Sequence, residues 1–134
     1  MAFFAPEIII PSALGSPANG NSMAADITSQ PVICQQVIAA SFGLSWTGTS
    51  PVGAVSIQGS NDFKQAANGQ ILVPGTWNTL TLNYGGSAVI SIPISGNTGN
   101  GILDITLTGI YALRCIYTAI SGTGNLTVTF CGKG

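Results

Sequence analysis

The chain has 134 residues and a net charge of −1, and only 5% of its residues are charged, against about 25% in ordinary soluble domains. It has no histidine and only three basic residues, which argues against an enzyme, a metal or cofactor protein and a nucleic-acid-binding protein. So few surface charges do little to keep molecules apart, so the composition favours a subunit that other copies cover.

Residues 1–31 predict an extended N-terminal arm. Prolines at positions 6, 11, 17 and 31 interrupt any regular helix or central strand. The same stretch carries six large apolar side chains that a flexible linker would not need, namely Phe3, Phe4, Ile8, Ile9, Ile10 and Leu14. We therefore expect an assembly arm that packs on a neighbouring subunit. The alternative is an arm that folds back on its own domain or stays disordered.

Residues 32–134 predict a single β-domain. Large and small or polar residues alternate with period two over 41–47, 79–84, 101–107 and 125–130, as in strands that bury one face. Residues 32–40, 54–59, 88–94 and 110–119 are also typical of strands. Turn residues separate these runs, including 47–51 and 121–124. The pattern predicts an all-β sandwich or jelly roll of about eight antiparallel strands.

The three cysteines, Cys34, Cys115 and Cys131, form no CxxC pair. Zinc binding is therefore not expected. We expect three reduced, buried thiols that behave as small apolar side chains. A Cys115–Cys131 disulfide is the alternative, if their strands are neighbours.

Asp62 and Asp104 are the only carboxylates of the β-domain. Such a pair could serve glycoside hydrolysis. Asp62, however, lies in a turn, where its carboxylate would accept hydrogen bonds from backbone N–H groups. Asp104 lies at a polar position of an alternating strand.

Arg114 lies within an apolar strand, so its guanidinium needs a hydrogen-bond acceptor. We expect a structural charge pair with Asp62 or Asp104, or bonds to loop carbonyls. The alternative is an edge arginine that faces solvent.

The two tryptophans have different contexts. Trp46 shares its phase with Phe42 and Leu44, which predicts burial. Trp77 follows the turn at 74–76 and is the better candidate for an exposed aromatic. Together with Asn61 and Asp62 it would form a ligand loop on a glycan-binding or receptor-binding surface. An exposed Trp77 could also belong to an interface, but burial in the core is the interpretation we favour, and the ligand loop is the alternative.

An ordered set of motifs resembles small β-sandwich structural proteins of bacterial viruses. It comprises SIQGSND at 56–62, Trp77, YALRCIY at 111–117, SGTGNLTV at 121–128 and the final Gly132-Lys133. The resemblance extends from about Phe42 to the C-terminus. It implies a virion component, such as a minor capsid, cement or spike-base subunit or a tail-associated protein, and it carries no catalytic residues.

Composition and resemblance together predict a non-enzymatic virion structural protein. Its expected partners are copies of itself and other virion proteins, and no cofactor or nucleic acid is expected. No stretch approaches the ~18 apolar residues of a membrane span. The alternative is a receptor- or glycan-binding β-sandwich displayed on a virus particle or cell surface, in contact with a host surface.

Overall fold

The computed structural model describes residues 6–11, 20–35, 37–106 and 109–134, and their regular structure is entirely β. No helix that could cross a membrane occurs in these ranges. The strands are β1 Glu7–Ile10, β2 Ile27–Thr28, β3 Val32–Ile33, β4 Ala39–Ser60, β5 Lys64–Gln65, β6 Ile71–Val73, β7 Asn78–Thr79, β8 Leu82–Tyr84, β9 Ser87–Val89, β10 Ile92–Ile94, β11 Thr98–Thr106 and β12 Ala112–Lys133.

Two strands of 22 residues, β4 and β12, form the centre of the fold. They pair antiparallel along almost their whole length, from Ala112 opposite Ser60 to Lys133 opposite Ala39. The main sheet has the order β1-β12-β4-β11-β8-β9, with β2 and β3 on β12 and β7 and β10 on β4. Strands β5 and β6 form a separate two-stranded sheet.

Both long strands switch the parity of their buried residues near the middle. Apart from Ala112 at the start of β12, the buried apolar residues are even-numbered in one half of each strand and odd-numbered in the other: Ala40, Phe42, Leu44, then Val55, Ile57 in β4; Leu113, Cys115, Tyr117, then Leu126, Val128, Phe130 in β12. The switch coincides with Ser50 and Gly122, which have φ of 47° and 79°, and with register shifts on either side of Ser121. An inserted residue keeps the same sheet face toward the core while the strand bends.

The prediction of an all-β, sandwich-like domain is confirmed. Residues from both halves of β4 and β12 belong to one core cluster. The predicted turns at 47–51 and 121–124 are instead bends inside continuous strands, because the two segments face each other and stay paired through the bend. Four of the predicted strands therefore merge into two.

The first part of the chain packs on its own domain. Strand β1 pairs with β12, with Ile8 opposite Thr129, and the side chains of Ile9 and Ile10 are fully buried. Burying these two isoleucines and pairing the edge of β12 stabilise the domain itself. Ile9 and Ile10 thus pack on their own domain, whereas Ile8 is exposed, and contact of the arm with a neighbouring subunit stays a prediction. Phe3, Phe4 and Leu14 lie outside the described residues.

The predicted boundary at residue 31 is not visible in the packing. Met23 and Ile27 are buried in the same core as the residues that follow position 32. Strand β2 pairs with β12 next to β3. Residues 20–31 are therefore an integral edge of the sandwich.

Candidate functional site

A broad sheet face points away from the core on β11, the first half of β4 and the second half of β12. We call it the outer face. Residues directly opposite each other on neighbouring strands project to the same side, so the face consists of cross-strand rows. The rows are Thr98/Thr47/Asn125, Asn100/Ser45/Thr127, Ile102/Gly43/Thr129, Asp104/Ser41/Cys131 and Thr106/Ala39/Lys133.

The outer face has a groove along β4. Outward positions on β4 are small, with Gly43 at the centre between Ser41 and Ser45, whereas Ile102 on the adjacent β11 is 71% exposed. Three open depressions of about 340, 570 and 690 Å³ follow one another over these rows. The floor of the groove is thus formed by glycine, alanine and hydroxyl side chains.

Only two charged side chains, Asp104 and Lys133, belong to the rows of the outer face. Asp104 is exposed and lies opposite Ser41 on β4 and Asn83 on β8. The polar phase that the sequence predicts for Asp104 is thus the one seen here. Lys133 stands two strands away and one row along, near the end of β12.

The loop residues Asn61 and Asp62 use their side chains to hold the backbone. Asn61 Oδ1 accepts from the backbone N–H of Tyr111 at 2.9 Å. Asp62 Oδ1 accepts from the backbone N–H of Thr76 at 2.6 Å and from the hydroxyl of Ser60 at 2.8 Å. These bonds, the Thr76 one foremost, lower the pKa of the Asp62 carboxyl. Both oxygens tie the chain after β4 to later segments.

Trp77 and Arg114 form a packed pair. The guanidinium carbon of Arg114 lies 4.3 Å from the centre of the Trp77 ring, in cation–π geometry. Phe63 lies on the same tryptophan, with ring centres 5.4 Å apart. Trp77 Nε1 donates to the carbonyl of Pro74 at 2.8 Å. Trp77 is therefore a half-buried anchor rather than an open platform.

In the structure Arg114 contacts Gln58 as well as Trp77. Arg114 Nε donates to Gln58 Oε1 at 2.8 Å, and Gln58 is its direct cross-strand neighbour on β4. The neutral amide oxygen of Gln58 and the indole ring of Trp77 are thus the contacts seen for the guanidinium, and a charge pair with Asp62 or Asp104 stays a prediction. Partial burial lowers the pKa of Arg114. The sequence pattern could not show which residue stands opposite position 114.

One exposed apolar feature was not predicted from the sequence. All three side chains of β6, Ile71, Leu72 and Val73, are exposed. The strand pairs with β5 in the small separate sheet. Three consecutive apolar residues before Pro74 are the sequence signal, but they do not alternate and so gave no strand prediction.

The three cysteines are thiols and not disulfides. Burial raises the pKa of Cys34 to about 11 and that of Cys115 to about 12. Cys131 is half-buried on the outer face. In the described ranges, no group of three or more His, Cys, Asp or Glu residues could hold a metal ion.

Comparison with known proteins shows a likeness of fold. The solved structure of the SPBc2 prophage-derived protein YomS superposes with a TM-score of 0.61, covering 98% of this chain and 95% of that chain at 8% sequence identity. No protein-family model matches the sequence, and neither does any curated protein. The two chains share a fold over nearly their whole lengths.

Proposed function

We propose that this chain is a non-enzymatic structural subunit of a bacteriophage particle, as a minor capsid, cement or spike-base protein. Two independent observations support the phage assignment. The sequence motifs from SIQGSND to Gly132-Lys133 resemble phage β-sandwich structural proteins. The fold is similar to that of a prophage-derived protein over 98% of this chain.

The observation that carries the structural role is the outer face. It spans three strands and five cross-strand rows but has only two charged side chains, Asp104 and Lys133. Packing such a face against another protein desolvates few ions, and desolvation is the main cost of burying charged surfaces. Serine, threonine and asparagine side chains can exchange water for hydrogen bonds across an interface.

In this role we expect the sheet to provide contact surface in addition to the N-terminal arm. In the described part of the arm, Ile9 and Ile10 are buried within their own domain, whereas Ile8 is 52% exposed. The apolar strand β6 adds a second exposed patch that a particle would cover.

The ligand-loop alternative has less support from the geometry. The carboxylate oxygen of Asp62 and the amide oxygen of Asn61 bind backbone N–H groups. Arg114 lies over the ring of Trp77. A glycan would have to displace these contacts before it could stack or bind there.

The test is whether the chain is a fixed component of particles. Phage particles from the host that encodes the chain would be purified on a density gradient and quantified by mass spectrometry. We expect a constant ratio of this chain to the major capsid protein across gradient fractions. A non-structural phage protein serves as the control for carry-over. Recovery of the chain only in the soluble fraction would contradict the proposal.

A further inference from the structure

The outer face has a knob and a hole side by side. Ile102 and Gly43 are direct cross-strand partners on β11 and β4. Ile102 projects 71% exposed, whereas Gly43 leaves open space, since a Cβ built there would meet only the Thr129 carbonyl oxygen at 4.0 Å. An exposed isoleucine next to an unfilled glycine is unfavourable for a lone molecule, because the apolar surface stays in water.

The same relation continues along both strands. In four of the five rows the β11 residue is larger than its β4 neighbour: Asn100 over Ser45, Ile102 over Gly43, Asp104 over Ser41 and Thr106 over Ala39. Strand β11 is thus a ridge, and β4 is the adjacent groove. Neighbouring strands lie about 4.8 Å apart, so ridge and groove are separated by one strand spacing.

We propose that a second copy of this chain docks on the outer face about a twofold axis that runs parallel to the strands, midway between β11 and β4. Such an axis exchanges the two strands, so each β11 ridge fills the β4 groove of the other copy. Ile102 of each copy covers Gly43 of its partner. The sheets face each other at about 10 Å with nearly aligned strands, which is a common packing of two sheets. The contact is isologous, as in most homodimers.

The charges of the face fit this arrangement. Asp104 and Lys133 have opposite signs and stand two strands apart. The proposed axis places Asp104 of one copy over Ser41 of the other, one strand and one row from Lys133. That separation is roughly 8 Å between α-carbons in projection, which a lysine side chain can span. The dimer then has two equivalent ion pairs, each between Asp104 of one copy and Lys133 of the other.

The area of the face suits a modest dimer. Outward residues on a strand repeat about every 6.8 Å, so five rows on the two exchanged strands cover roughly 330 Å² in projection, and β12 adds area where it lies over β8 of the partner. Because side chains project from the sheet, the accessible surface that each partner buries is larger than this projected area and approaches the ~800 Å² of a standard interface. This inference rests on the proposed function, because a structural subunit is expected to bind its own copies.

The experiment is analytical ultracentrifugation of the full chain from about 1 μM to about 1 mM. We expect a dimer of twice the 13.5 kDa chain mass. Ile102→Asp should weaken the dimer about 100-fold or more, because each dimer buries two copies of this side chain. Ile120→Asp is the matched control: Ile120 is 74% exposed but lies outside the outer face, so this variant should dimerise like the parent.

A size exchange tests the pairing itself. Gly43→Val is tolerated in the monomer, since only one backbone oxygen stands near its Cβ, but it fills the groove and should weaken the dimer. Ile102→Ala should also weaken it. Combining Gly43→Val with Ile102→Ala should restore much of the affinity, because the axis places residue 43 over residue 102. Circular dichroism checks that each variant is folded.

Three results would overturn the proposal: a monomer at every concentration, equal loss with Ile102→Asp and Ile120→Asp, or no recovery in the combined variant. A larger closed oligomer insensitive to Ile102→Asp would also overturn it and would assign assembly to another surface such as β6. Recovery of the chain only outside particles would instead contradict the proposed function and leave a measured dimer intact.

Discussion

Gly122 lies directly against the carbonyl oxygen of Ser50, at the point where both long strands bend. A Cβ at position 122 would overlap that oxygen, and the φ of Gly122, 79°, is one that favours glycine. The two bends therefore fit together only because one of them has no side chain. This contact allows β4 and β12 to remain paired while the sheet folds over its core.

Gly122→Ala should lower the free energy of unfolding by at least about 2 kcal/mol, from left-handed backbone strain plus the steric overlap. Urea unfolding measures the change. Gly86→Ala is the matched control, because Gly86 has a φ of 83° but nothing within 4 Å of its Cβ position. The free energy of unfolding of Gly86→Ala should fall only by the cost of left-handed backbone strain, about 1 kcal/mol. Equal losses for the two variants would contradict the close approach.

Arg114 and Trp77 should show a measurable coupling energy. In a double-mutant cycle of Arg114→Met and Trp77→Leu, we expect about 1 kcal/mol of interaction in the free energy of unfolding, because the cation lies over the ring at 4.3 Å. A cycle of Arg114→Met with Asp104→Asn serves as the control and should be additive. Coupling to Asp104 with none to Trp77 would restore the charge pair that the sequence suggested.

Tyr117→Phe should stabilise the protein. The Tyr117 side chain is fully buried, and its hydroxyl has no hydrogen-bond partner among the described residues. Burial, with a contribution from Asp26, also raises the pKa of this phenol. Removing an unsatisfied buried hydroxyl should raise the free energy of unfolding by about 1 kcal/mol. Tyr111→Phe, at a half-buried position, should change it little. A destabilised Tyr117→Phe variant would show that the hydroxyl is bonded.

The stability should fall in acid partly through Asp62. Its carboxyl has a lowered pKa in the folded state, owing to the bonds from Thr76 and Ser60. The stabilisation is therefore complete above the ordinary pKa of about 4 and is lost as the pH falls through the lowered value. Thermal unfolding between about pH 2 and pH 7 should show a flatter acid limb for Asp62→Asn. Superimposable profiles would exclude Asp62 as a contributor.

Thiol reactivity should separate Cys131 from the other two cysteines. Cys34 and Cys115 are buried and have raised pKa values, so few thiolates are available at pH 8. A thiol reagent should label Cys131 first in the folded monomer and all three cysteines in denaturant. The Cys131→Ser variant should therefore lack the fast phase of labelling. Fast labelling of Cys115 in that variant would contradict the burial.

The sequence was sufficient for the strand content but not for the connections. Alternation over 41–47 and 125–130 correctly predicted half-buried strands, because period two reflects which face is buried. The glycines and the proline at 47–51 and 121–124 are equally compatible with a turn between two strands and with a bend inside one strand. Only the pairing of these two segments with each other distinguishes a bend, and no local pattern contains that information.

The candidate site was predicted in part for the same reason. The alternation of 101–107 placed Asp104 on a polar face, and the structure agrees. That Gly43 stands beside Ile102 depends on a register between segments nearly 60 residues apart. A shift of one residue would have turned the Ile102 side chain to the core. The contact between Arg114 and Gln58 could not be predicted for the same reason, since the two residues become neighbours only through the register of β12 on β4.

The pairing of β4 with β12 also decides when the chain can fold. Strands β1, β2, β3 and β4 all bind β12, which the ribosome makes after them. None of these early segments can complete its hydrogen bonds until β12 has been synthesised. Sheets that join such distant segments fold slowly and expose apolar strands meanwhile. A cell that produces many copies at once must keep these unfinished chains apart, although few charges are present to do so.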